Sequence, residues 1–451
     1  MTTLFFDVAL LPTGWASDVR ITICDGHIAD LAVGTGREAD DEHHRIGLPG
    51  LGNLHSHAFQ RGMAGLAEVR GPNSDSFWTW REVMYRFVGR MDADDVEAVT
   101  AQAYVEMLES GFTRVGEFHY LHHDAAGTPH ADIAELAGRI VAAAQATGIG
   151  LTLLPVFYAH AGFGGRPPEA GQRRFVTDLD GFGRLIEVCR RIVANCDGGI
   201  VGIAPHSLRA VTPAELATIL PLAQGGPVHI HVAEQIAEVE ACRAWSGRRP
   251  VEWLLDNAPV DAAWCLIHAT HTVPAELAGV AERGAVIGLC PITEANLGDG
   301  TFDGPNFAAS GGVYGIGSDS NVLIDAAGEL RQFEYSQRLA GRARNVMASD
   351  ASTGRALFDA ALRGDRQALG VGIGGMRVGA AADLISLNAR HVALAGRAGD
   401  AILDSWIFGA RQGSIDCVWV GGRKRVENGR HLGSAAIAAR FRRTLEGLLA
   451  A

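Results

Sequence analysis

The 451-residue sequence has no Cys-x-x-Cys pair and no basic excess. It also has no apolar run near the ~20 residues a membrane helix needs. Each absence excludes something. Seven cysteines, scattered and odd in number, do not make a disulfide framework. They read as free buried thiols in a reducing compartment, so a cytoplasmic protein is expected. A net charge of −12 with His neutral argues against non-specific nucleic-acid binding and against an anionic membrane surface. An anionic substrate would therefore need cations placed locally. Met1–Asp7 shows no basic segment followed by a long apolar run, so no signal peptide is expected. There is no low-complexity linker and no repeat of 20–50 residues beyond a β/α alternation.

What is present is a chain 47% hydrophobic and 20% charged, the composition of a globular protein with a large core. The length admits two or three domains, or one large barrel with an accessory domain. The organising stretch is Leu51-Gly52-Asn53-Leu54-His55-Ser56-His57-Ala58-Phe59-Gln60. Side chains alternate along a strand, so His55 and His57 face the same way at its end and can grip one ion together.

Residues 3–48 read as short strands, with Asp25-Gly26 as a hairpin signal between two of them. From residue 49 strands and helices alternate. A helix over 92–110 is expected, opened by Asp92 and closed by Gly111. Strands are expected at 48–57, 113–120, 150–156, 199–207, 227–234, 264–270, 285–291 and 313–320, all near-continuous apolar runs. Eight such units fit a (β/α)8 TIM barrel, whose active site lies at the C-terminal strand ends. His55, His57, His206, His231, Glu234, His268 and Asp319 all fall there. Helices over 324–342 and about 352–362 follow. Strands at 379–387 and 415–423 then return, and a helix at 434–450 closes the chain. The expected architecture is α/β. Residues 1–48 and 374–451 form a small β-sandwich domain plus a terminal helix, and 49–373 form the barrel.

Three His and one Asp (His55, His57, His231, Asp319) are ligand types for one divalent ion, zinc being expected and iron left open. Such an ion lowers the pKa of a water to about 7. Asp319 could take that water's proton, so it reads as both ligand and base. Glu234 follows His231 by three residues and could carry the proton to a leaving group. His268 could bond the hydroxide or polarise the electrophile. These three are the candidate catalytic residues.

Pro49-Gly50-Leu51-Gly52-Asn53-Leu54-His55-Ser56-His57, His231, His268 and Ser318-Asp319-Ser320 together resemble the amidohydrolase superfamily over nearly the whole chain. Many members carry a lysine at the end of strand four, bridging two metals. Here that strand ends Ala204-Pro205-His206-Ser207, which resembles the mononuclear deaminase branch. The zinc deaminases with a Pro-Cys-x-x-Cys signature are a different design. Within the branch, Asn53–Arg61, Phe77-Trp78-Thr79-Trp80-Arg81, Gly116-Glu117-Phe118-His119-Tyr120 and Ala204–Arg209 most resemble the formimidoylglutamate deiminases of histidine degradation. The resemblance implies substrate contacts from Gln60, Arg81, Tyr120, His206 and Arg209. It implies hydrolysis of N-formimino-L-glutamate to N-formyl-L-glutamate and ammonia. Two arginines suit a dianionic amino-acid substrate, Arg81 from an aromatic loop after strand one and Arg209 from just after strand four. Two other readings stay open. One is a deaminase of a guanine, pterin or nucleoside-like ring, stacked on Phe77, Trp78 or Trp80. The other is a binding protein that has lost its metal. A homodimer through apolar helices such as 130–147 is also left open.

Overall fold

The computed structural model describes residues 2–70, 77–348, 352–411 and 413–450. Four N-terminal strands come first: β1 (Thr2–Leu11), β2 (Gly14–Cys24), β3 (His27–Val33) and β4 (Glu42–Pro49). Asp25 and Gly26 both take positive φ, 47° and 80°, the turn that matches the twist of a two-residue hairpin. Nine strand segments follow at the positions of the eight apolar runs. They are β5 (Leu51–Ser56), β6 (Phe112–His119), β7 (Gly150–Phe157), β8 (Ile200–Val201), β9 (Ala204–Pro205), β10 (Val228–Val232), β11 (Trp264–His268) and β12 (Val286–Leu289), with β13 (Val313–Ile316) last in the barrel. Strand four of the barrel is thus two short pieces, β8 and β9, both paired with β7.

All pairings in the barrel are parallel. Bridges Ile203–Val228 and Ser207–His231 join β10 to strand four, and Ser56–Asp319 joins strand eight to strand one, so the ring closes. Closure at the last seam depends on Gly317. A Cβ there would lie 2.7 Å from the His55 carbonyl oxygen.

The remaining strands, β14 (Leu384–Leu387), β15 (Ile415–Val420), β16 (Arg423–Glu427) and β17 (Arg430–His431), join the first four. The two chain ends form one eight-stranded sheet, in the order β17-β16-β15-β14-β4-β1-β2-β3. The sheet has its own core, in which Leu4, Phe6 and Ile21 pack with Leu384 and Trp419. β4 is an addition to the three N-terminal strands read from the sequence. Its apolar end runs straight into β5, and Pro49-Gly50 turns the chain from sheet to barrel.

Helix α1 (Phe77–Val88) corrects the expectation of an aromatic loop after strand one. Helix α2 (Ala93–Ser110) has the expected ends. Asp92 Oδ1 accepts from Asp95 N at 2.8 Å, and Gly111 closes the helix with φ 104°. The helix expected over 130–147 starts at Glu135. Helix Thr353–Ala368 packs against β13 and β5. Its C-terminal end fills the barrel floor, where Ala368 and Leu369 meet Leu54, Cys265 and Ile267. A helix at Ala401–Gly409 was not anticipated. Among the described residues no helix is long and apolar enough to cross a membrane.

Candidate active site

The Asn53 amide brackets Ser318, its Nδ2 donating to Ser318 Oγ at 2.6 Å and its Oδ1 accepting from Ser318 N at 3.0 Å. Ser318 Oγ donates in turn to Asn321 Oδ1 at 2.6 Å, and Asn321 Nδ2 donates to Ser56 Oγ at 3.2 Å. This buried network clamps strand one to the segment after strand eight. It fixes His55 and His57 against Asp319, whose backbone N–H donates to the His55 carbonyl at 2.9 Å. Asp319, Ala233, His268 and Ala269 all have left-handed φ, between 47° and 68°. Such backbone strain, of order 1–3 kcal/mol per residue, gathers where surrounding structure over-determines a site.

His55, His231, His268 and Asp319 bring one ligand atom each within 4.8 Å of one another, and all four are buried. His57 stands beside them, its Nε2 3.3 Å from Asp319 Oδ1. The Nε2 atoms of His55 and His231 are 3.0 Å apart. Proton placement decides whether the group suits a cation. A carbonyl oxygen only accepts, so His57 Nδ1 donates to the Phe118 carbonyl at 2.9 Å and His231 Nδ1 to the His206 carbonyl at 3.2 Å. Burial holds these rings neutral, pushing His55 down to about 3 and His57 and His231 below their usual value. The Nε2 lone pairs of His57 and His231 therefore face the Asp319 carboxylate and the His55 ring. A cation suits that arrangement, and outer partners that fix the Nδ1 protons are what a metal-binding imidazole needs. The residues fit a divalent ion.

His268 differs from the other rings. Its Nδ1 donates to Glu294 Oε1 at 3.2 Å, and its Nε2 lies 3.8 Å from both Glu234 Oε1 and Asp319 Oδ2. Burial alone would lower its pKa. The surrounding carboxylates of Glu234, Glu294 and Asp319 outweigh that and raise it to about 10. Burial raises Glu234 to about 7. Glu238 accepts from the backbone N–H groups of Ala233 and Glu234, which fixes the turn that presents Glu234.

A narrow cleft opens above these groups. The residues proposed from the sequence as metal, catalytic or substrate ligands all line it except His55, which lies beneath, fully buried. Gln60 Nε2 donates to Tyr120 Oη at 2.8 Å, and Gln60 Oε1 has no partner. Arg81 and Arg209 each have a buried Nε with no acceptor. Among the described residues, Glu169 and Glu234 respectively stand 4.0 Å off. Both guanidinium groups lie over the Trp78 ring, at 4.7 and 6.0 Å from its centroid.

Sequence reasoning missed several contributors. Tyr158, Phe175 and Tyr85 also line the cleft. Tyr158 follows β7 directly, and the strand-end rule that found His206 would have found it. Tyr85 falls one turn after Arg81 on α1, a spacing visible only once the segment is read as a helix. Glu294, behind His268, sits on the short helix Pro291–Leu297 and has no local signal.

Residues 46–425 match the Amidohydrolase family, and residues 1–45 match the N-terminal domain of formimidoylglutamate deiminase HutF. The chain is 50% identical to a formimidoylglutamate deiminase of Pseudomonas aeruginosa, over 100% of both chains. An 8-oxoguanine deaminase of the same species is 28% identical over 95% of each. Among solved structures, an amidohydrolase from Brucella melitensis superposes with a TM-score of 0.97 at 55% identity, covering 100% of both chains. A zinc-bound adenosine deaminase from Xanthomonas campestris shares the fold at 20% identity, with a TM-score of 0.84 over 100% of this chain and 99% of that one. With its cluster of histidines and Asp319 at the mouth of a closed parallel barrel, this chain belongs to the amidohydrolase family and groups there with the formimidoylglutamate deiminases.

Proposed function

We propose that this chain hydrolyses N-formimino-L-glutamate to N-formyl-L-glutamate and ammonia. One divalent ion, zinc, would be held by His55, His57, His231 and Asp319. The observation that carries this reading is the pairing, in one cleft, of a His/Asp cluster with two guanidinium groups whose buried Nε atoms lack partners. A divalent ion at that cluster makes hydroxide available at neutral pH.

The protein groups then divide the remaining tasks. Arg81 and Arg209 hold the two substrate carboxylates with two-pronged bonds. Gln60, Tyr120 and His206 orient the formimino end. Asp319, held ionised by the imidazoles around it, receives the proton of the attacking water. His268, fixed by Glu294, donates from Nε2 to the attacking oxygen. Glu234, poised near neutrality, delivers a proton to the departing nitrogen, which leaves as ammonia. The free thiols fit a cytoplasmic setting.

Replacing Arg81 or Arg209 by Met should lower kcat/KM by about 10- to 150-fold, or roughly 1.5–3 kcal/mol, the worth of a hydrogen bond to a charged group. The loss should shrink on an analogue lacking the matching carboxylate, because that contact is already gone. Equal losses on full and truncated substrates, for both arginines, would remove the clamp. They would favour the second reading, a ring deaminase stacking its substrate on Phe77 and Trp80, which also line the cleft.

A further inference from the structure

A second and larger cleft, of about 720 Å³, lies between the small sheet and the helix Thr353–Ala368, away from the catalytic mouth. One wall is the end of β1, with Leu10, Leu11 and Pro12. The opposite wall is one face of the helix, where Arg355, Asp359, Arg363 and Arg366 follow one another at turn spacing. The loop 371–377, rich in glycine, closes the cleft and adds Arg377.

The charges in this cleft do not cancel. Arg355 is neutralised, with Nε 2.6 Å from Asp359 Oδ2 and Nη1 3.3 Å from Asp400 Oδ1. Arg363, Arg366 and Arg377 have no carboxylate within 4.0 Å among the described residues. Arg366 donates Nη2 to the Gly372 carbonyl, and Arg377 donates Nε to the Gly374 carbonyl at 2.7 Å. Those bonds pin the two guanidinium groups to the loop, and among the described residues their other N–H groups have no protein acceptor. Arg366 lies flat on the loop backbone, where a Cβ at Gly374 would stand 1.7 Å from its Cζ. Asp383 acts on Arg366 only from beyond 4.0 Å, so in a chain of net charge −12 three guanidinium groups without a contacting carboxylate make a local positive focus.

We infer that this cleft binds a phosphorylated small molecule of nucleotide size. Three guanidinium forks match the oxygens and charge of a phosphate or pyrophosphate better than a single carboxylate. The apolar wall of Leu10, Leu11 and Pro12 gives the organic part a surface, and the volume exceeds what a bare anion fills. The site is separate from the carboxylate clamp of Arg81 and Arg209.

Calorimetric titration of the metal-loaded full chain with pyrophosphate and with ADP tests this. Both should bind, ADP more tightly, with affinity falling as salt rises. Arg363 and Arg377 are exposed, so Arg363→Gln with Arg377→Gln should leave the melting temperature and deiminase activity unchanged. That pair should weaken both ligands by about tenfold or more. Absence of binding up to about 10 mM, well past the range of specific small-ligand sites, would overturn the inference. So would binding untouched by the double substitution. Binding abolished by Arg81→Met would move the ligand to the catalytic cleft, and ADP binding no tighter than pyrophosphate would remove the organic-phosphate assignment.

Discussion

His229 and His231 sit two residues apart on β10, on the same face of the strand, and meet opposite ends of the barrel. His229 is buried at the floor, where its Nε2 donates to the Ala368 carbonyl at 2.7 Å. That carbonyl belongs to the end of the floor-filling helix, where carbonyls lack intrahelical partners. His231 is at the mouth, its Nδ1 tied back to the His206 carbonyl and its Nε2 turned to His55 and the open cluster. Burial lowers both pKa values, His229 to about 4. Residue type, strand, face and titration are thus alike. The difference is that the floor closes its polar group against a backbone carbonyl, while the mouth turns its Nε2 toward His55 and the other ligand-type side chains. The same contrast separates two aspartates. Asp365 at the floor accepts from the Ile316 backbone N–H at 2.9 Å, and burial pushes its carboxyl well up. Asp319 at the mouth is held low by His55, His268 and His57 against its own burial.

Breaking the mouth should have the largest effect. His231→Ala or Asp319→Asn should abolish turnover, and elemental analysis should find the metal lost or depleted. Near-normal activity in either would refute the ligand assignment. One metal per wild-type chain is expected, and two, both needed for turnover, would contradict it. Glu234→Gln comes next. It should keep the metal and lower kcat by about 10²-fold or more. A change confined to KM would make Glu234 a substrate contact instead.

These expectations rest largely on features a reader of the sequence can find. Strand ends carrying His or Asp stand out because their strands are otherwise apolar. Asp92 and Gly111 mark the ends of α2 for the same local reason, a cap and a left-handed stop. Other features were out of reach. Helix α1 carries Phe77, Trp80, Arg81, Met84 and Tyr85 at helical spacing, yet its aromatic density read as a loop. Glu294 reaches His268 only through the return of the chain after β12. The floor contact of His229 needs a helix 139 residues later, and Asp365 on that helix reaches back 49 residues to Ile316, so no local pattern encodes either.

Glu294→Gln sharpens the comparison from the inside. The neutral amide removes the charge that holds the His268 Nδ1 proton, so kcat should fall by about 10- to 100-fold with metal content kept. An unchanged kcat would make Glu294 a packing residue. The smallest effect on catalysis should come from the floor. His229→Leu strips a buried carbonyl of its donor, so thermal unfolding should show a loss of about 1–3 kcal/mol, with kcat and metal unchanged. Loss of metal in that variant would erase the distinction between floor and mouth.

The central claim is the substrate, and ammonia release tests it most directly. Purified zinc-loaded protein is offered N-formimino-L-glutamate, formimino compounds lacking one carboxylate, and ring substrates such as 8-oxoguanine. The account predicts one ammonia per N-formimino-L-glutamate, with slower release from the truncated compounds and none from the rings. Rapid deamination of a ring, with N-formimino-L-glutamate left intact, would contradict it.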